Sequence, residues 1–146
     1  MMQSRKIRLA ISPCPNDTFM FDAIVNRRID TDGFDVEVTY LDIEQLNAAL
    51  LEHKYDISKC STAMLSAVGD SYVLLDSGSA LGRGNGPLLV RRKGETTPLK
   101  RIVVPGEHTT ANRLVMRLFP VLRSVCLCSF RRLPRLWSEV TTMVEC

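Results

Sequence analysis

The chain has 146 residues, 45% of them hydrophobic and 24% charged, with a net charge of +3, which is the composition of a folded globular domain and excludes a disordered or fibrous chain. Its basic residues are mixed with acidic ones and form no stripe interleaved with aromatics, so a nucleic-acid partner is not expected. No apolar signal core of about 7–15 residues follows the first methionines and no run reaches membrane length, so no membrane partner is expected and the cytoplasm is the expected compartment.

Lys6 to Ser12 is apolar and β-branched enough for a strand. In Ser12-Pro13-Cys14-Pro15-Asn16-Asp17-Thr18 the two prolines argue against helix, and Asn16 and Asp17 suit an N-cap, so helix is expected from Thr18 to about Arg27. Gly33 turns the chain, and Val36, Val38 and Tyr40 alternate with polar residues as a half-buried strand does. Asp42 with Gln45 three residues on predicts a capping box opening a helix through Leu51. Ile57 to Cys60 reads as a short buried strand, Ser61-Thr62 as the cap of a helix through Val68, and Tyr72 to Asp76 as another strand. Gly78, Gly82, Gly84 and Gly86 then bend the chain into a strand over Pro87 to Arg92. Lys93 to Pro98 is polar and hinge-like, Arg101 to Val104 a strand, and Thr109 to Phe119 an amphipathic helix. Strand and helix alternate throughout, which predicts an α/β fold. The expected division is a first lobe at 1–97, the start of a second at 98–120, and a tail of unlike composition at 121–146.

Chemistry concentrates at three strand-to-helix junctions: Asn16-Asp17-Thr18, Lys59-Cys60-Ser61 and His108-Thr109-Thr110. Ligands of open α/β sheets sit outside the carboxyl ends of strands, where helix N-termini offer free N–H groups to an anion. The hydroxyls of Ser61, Thr109 and Thr110 and the charge of Lys59 suit a small acidic substrate, although capping is the commoner role of such residues at any one junction. Gly82-Arg83-Gly84-Asn85-Gly86 precedes a strand instead of opening a helix, so it does not read as a dinucleotide loop. Arg83 within it suits either a carboxylate clamp or a solvated turn. Cys14 reads as a small packed thiol rather than a nucleophile, and His53 as a partner of a helix C-terminus. Five cysteines, with no zinc-type spacing beyond the close pair Cys126 and Cys128, point to reduced thiols. No metal and no cofactor is expected.

Three segments carry a family resemblance: Ser12 to Phe19, Ala80 to Leu88 (Ala-Leu-Gly-Arg-Gly-Asn-Gly-Pro-Leu), and Val104 to Ala111 (Val-Pro-Gly-Glu-His-Thr-Thr-Ala). They resemble signatures of 1,4-dihydroxy-6-naphthoate synthase, over about Lys6 to Phe119. The resemblance implies a two-lobed fold like the type 2 periplasmic binding proteins, with the first lobe and the start of the second present here. It also implies a lyase reaction of menaquinone biosynthesis by the futalosine route, in which cyclic dehypoxanthinyl futalosine is split into 1,4-dihydroxy-6-naphthoate and a ribose-derived piece. Lys59, Cys60, Ser61, Thr109 and Thr110 match the family's substrate-holding segments, with Asn16 and Asp17 as further candidates. Chorismate dehydratase of the same pathway and a cytoplasmic solute-binding or sensor module are the rival readings.

The family's general base is a histidine in an Ile-His-Glu segment, and neither His53 nor His108 lies in such a motif. The resemblance therefore supplies no catalytic residue, and little activity is expected of this chain alone. Val121 to Cys146 holds four arginines and three cysteines but no Lys, Asp or Gly. Back-translated and read one nucleotide out of frame, Cys126 to Val144 can spell a serine-capped helix and an acidic turn that resemble the family, so a displaced frame after about residue 120 is expected. Oligomeric state is left open by the sequence.

Overall fold

A computed structural model describes residues 5–84, 86–96, 98–120, 124–127 and 141–144. The chain divides into two compact units, Met1–Cys60 with Val68–Ala80, and Ser61–Ala67 with Leu81–Cys146. The chain thus passes between units at three places in sequence, none of them at 97.

The first unit is built on a parallel sheet of β1 (Arg5–Ile11), β2 (Phe34–Tyr40) and β3 (Ile57–Ser58), in the order β2-β1-β3. Arg5 pairs with Phe34 and Ile11 with Tyr40, while Leu9 pairs with Ile57. Because β1 is central, both of its faces can be covered, and Leu9, Ala10 and Ile11 are buried in succession. The edge strand β2 keeps its alternation and stays half exposed. Parallel neighbours need crossovers. α1 (Pro15–Met20) and α2 (Asp22–Val25) lie between β1 and β2, and α3 (Ile43–Leu51) between β2 and β3. α3 buries Leu46, Ala49 and Leu50, and each of the two leucine side chains is worth about 1.5–3 kcal/mol when removed from water. Its start is the capping box expected, with Asp42 accepting from Gln45 N and the Gln45 side chain accepting from Asp42 N, both at 3.0 Å.

Several expectations change. The prolines do not exclude helix before Thr18: α1 begins at Pro15, since the first helical position needs no N–H and the ring presets φ. The helix expected to run to Arg27 breaks at Phe21 into two short pieces. His53 sits just beyond α3 with φ +53, where His53 N donates to Leu50 O and Lys54 N to Ala49 O. That is the left-handed C-terminal turn more often filled by glycine. Tyr72 to Asp76 forms no strand. Tyr72 N instead donates to Val68 O, and the Tyr72 ring stacks on His53 at 5.4 Å. An apolar run alone does not make a strand without a sheet edge to join.

The second unit holds a four-stranded sheet of β4 (Leu88–Val90), β5 (Arg101–Val104), β6 (Ser124–Leu127) and β7 (Thr141–Val144), in the order β4-β7-β5-β6. β5 is parallel to β6 and β7, and β4 antiparallel to β7. Ser61 opens a 3₁₀ turn, Thr62–Met64, which runs into α4 (Leu65–Val68) rather than being helical from the start. α5 (Thr110–Leu118) packs Ala111 and Val115 with Ile102 and Val104, flanked by Leu99, Leu114 and Phe119. Its outer residues Met116 and Leu118 remain exposed. Apart from β6 and β7, the tail from 121 and its alternative reading lie outside the described residues.

Candidate functional site at the carboxyl ends of β1 and β3

In the first unit, β1 leads to β2 on one side while β3 lies on its other side, so the strand order reverses between β1 and β3. Ligand sites of open α/β sheets form at such a reversal, outside the carboxyl ends. Two of the expected residues meet there. Asp17, in the first turn of α1, is 4% exposed, and its Oδ2 accepts from Ser12 N at 2.9 Å and Ser12 Oγ at 2.8 Å. Its other oxygen, Oδ1, lies 3.7 Å from Lys59 Nζ. Lys59 follows β3, tied to β1 by its backbone N–H to Ala10 O at 2.9 Å, and its ammonium donates to Gly78 O at 3.0 Å. Its side chain is one-fifth exposed. A lysine ammonium has three donors; among the described residues one is bonded to Gly78 O, and Asp17 lies within ion-pair range.

The other expected residues of this unit are placed differently. Asn16 is exposed on the outside of α1. Cys60 is half-buried, and its thiol is pushed up by that burial, only partly opposed by Lys59. It is therefore a poor thiolate nucleophile. Cys14 is exposed, not packed as its sequence setting suggested; it is the N-cap of α1, and its carbonyl accepts the first helical bond from Thr18 N at 3.0 Å.

In the second unit Ser61, Thr109 and Thr110 belong to two adjacent helical starts. Thr109 is fully buried; its Oγ1 donates to Gly106 O at 2.8 Å and accepts from Asn112 N at 3.3 Å. Thr110 Oγ1 accepts from Ala63 N at 3.2 Å, which ties α5 to the 3₁₀ turn, and Ser61 is buried at that turn's start. Asn112 Nδ2 further closes the loop on Glu107 O. Arg83 is exposed. Among the described residues no group of three or more His, Cys, Asp or Glu is placed to hold a metal ion, and no helix is long and apolar enough to cross a membrane.

Sequence reasoning missed Ser12 and Gly78. Ser12 could have been suspected from its place five residues before Asp17. Gly78 was read only as a bend; it lies at φ +86, and its carbonyl meets Lys59 across a sequence separation of 19.

The sequence model of a menaquinone biosynthesis family matches residues 7–140. The chain belongs to this menaquinone biosynthesis family. Among curated relatives it is 48% identical over 107 residues to the 1,4-dihydroxy-6-naphthoate synthase of Thermus thermophilus, covering 72% of this chain and 39% of that protein. It is 40% identical over 119 residues to the enzyme of the same name from Streptomyces coelicolor, covering 81% and 42%. The chain thus spans about two fifths of the length of the curated relatives it matches. Among solved structures, a protein of Archaeoglobus fulgidus superposes with a TM-score of 0.84 at 29% identity, covering 98% of this chain and 55% of that one. A nutrient-binding protein of Burkholderia cenocepacia, bound to methionine, superposes with a TM-score of 0.50 at 17% identity, covering 97% and 71%. The family member described here therefore shares the α/β fold of periplasmic-type binding proteins, as the resemblance implied.

Proposed function

We propose that this chain carries part of the substrate site of a 1,4-dihydroxy-6-naphthoate synthase, a lyase that splits cyclic dehypoxanthinyl futalosine in the futalosine route to menaquinone. The observation that carries the reading is the part-buried Lys59 ammonium, held at the strand-order reversal by Gly78 O as its one hydrogen-bond partner among the described residues. Such a group suits the carboxylate of an acidic aromatic product or its precursor, because a charge-assisted hydrogen bond is roughly twice as strong as a neutral one. The family and the names of the curated relatives support the same chemistry. Cys60, Ser61, Thr109 and Thr110 enter the proposal through the family segments they match. Free thiols at Cys14 and Cys60 suit a cytoplasmic enzyme.

Within this reading the 146-residue chain alone turns over little substrate. His53 is stacked on Tyr72, and neither it nor His108 stands in the Ile-His-Glu setting of the family's base. A positioned base is commonly worth about 10²–10⁴ in rate. Binding is therefore the measurement of choice. Thermal unfolding with 1,4-dihydroxy-6-naphthoate, chorismate and methionine in separate samples should show a rise with the naphthoate alone, worth about 2.7 kcal/mol at a hundredfold excess over Kd. Stabilisation by methionine with none by the naphthoate would overturn the proposal in favour of a solute-binding module.

A further inference from the structure

We infer that Asp17 is a positioning residue for Lys59 and not itself a ligand of the substrate. This deepens the function proposed above and rests on it for the identity of the ligand. Asp17 is almost fully buried, and its Oδ2 is occupied by both the backbone N–H and the hydroxyl of Ser12. A carboxylate so placed would also repel an anionic substrate, so direct binding is the wrong role for it. Its free Oδ1 faces the Lys59 ammonium at 3.7 Å, beyond hydrogen-bond length but within ion-pair range. Lys59 Nζ is thus held by a hydrogen bond to Gly78 O and by the charge of the fixed Asp17 carboxylate, and a long, rotamer-rich side chain loses freedom before the ligand arrives. Pre-organisation of this kind lowers the entropic cost of binding. Ser12 anchors Asp17, Asp17 and Gly78 aim Lys59, and the remaining ammonium donor meets the carboxylate of the ligand.

Two measurements on the 146-residue chain test this. The first needs no ligand: nitrogen-15 relaxation of the Lys59 ammonium should show a restricted side chain in the unmodified protein and a freely rotating one in Asp17→Asn, with Ser12→Ala in between. The second is titration calorimetry with 1,4-dihydroxy-6-naphthoate. Asp17→Asn should weaken binding about tenfold, Lys59→Met more, and the double variant no more than Lys59→Met alone, because contacting residues couple. Multiplying effects, or an Asp17→Asn affinity equal to that of the unmodified chain, would overturn the inference. A chain that binds no naphthoate refutes the proposed function instead, while the relaxation data still decide the role of Asp17. Should Asp17→Asn fail to fold, Ser12→Ala, which keeps the carboxylate, carries both tests: unchanged Lys59 mobility with unchanged affinity sinks the idea.

Discussion

The two units treat the polar residues at their strand ends in opposite ways. In the first, Lys59 and Asp17 form a charged pair whose ammonium has one hydrogen bond, to Gly78 O, among the described residues. In the second, the Thr109 hydroxyl is spent twice, on Gly106 O and Asn112 N, and Thr110 receives Ala63 N. Residues of equal appearance at a junction thus differ in how far the fold's own bonds commit them, the Thr109 hydroxyl most of all. A hydroxyl, with one donor and two acceptor sites, is easily consumed by a helix start. A lysine on a four-carbon stem carries three donors, of which the Gly78 carbonyl takes one.

The contrast breaks first at Thr109. Thr109→Val keeps the volume but leaves Gly106 O and Asn112 N without their partner in a buried site, and should lower stability by about 2 kcal/mol in urea unfolding at an unchanged m-value. Thr109→Ser should restore most of it. A loss under about 0.5 kcal/mol would show that the hydroxyl is not committed to the fold, and the distinction between the units would vanish. Gly78 sharpens the other side. At φ +86 a side chain is strained, and a Cβ there meets only ordinary contacts with Met20 and Phe21 at 3.9 Å, so the cost of Gly78→Ala comes from the backbone. It should be about 1 kcal/mol in the same experiment, with looser naphthoate binding as the carbonyl that aims Lys59 shifts. A neutral substitution would mean the turn tolerates any residue and does not set the position of Lys59.

The smallest effect belongs to an exposed pair of the first unit. Arg8 donates from N at 2.8 Å and Nε at 3.1 Å to Asp56 Oδ2, and from its terminal nitrogen at 2.8 Å to Oδ1. These bonds hold the Asp56 carboxyl at about 2, below its ordinary 3.8. Between those values the unfolded chain binds more protons than the folded one, so this contribution is present above about pH 4 and is lost as the pH falls toward 2. Asp56→Asn should remove this small contribution at neutral pH and flatten the acid limb of a stability-against-pH curve, so that the two curves converge near pH 2. An identical acid limb in that variant would show that the pair, however well formed, does not report on folding.

The legible parts of this protein were those carried by neighbours in sequence. Asp42 and Gln45 lie three residues apart, so the capping box and the start of α3 could be read directly. The Thr109 cap and the period of α5 were equally local. Pro15 was misread because a proline forbids a helix interior but favours a helix start, and only the start's position tells the two apart. Tyr72 to Asp76 had the composition of a strand without a partner, and the ring of Tyr72 found His53 instead. Sequence alone thus determined the α/β order, the caps, and the residue types gathered at strand ends. The Asp17–Lys59 pair, by contrast, was decided by tertiary structure, because it spans 42 positions and exists only once β1 and β3 lie side by side.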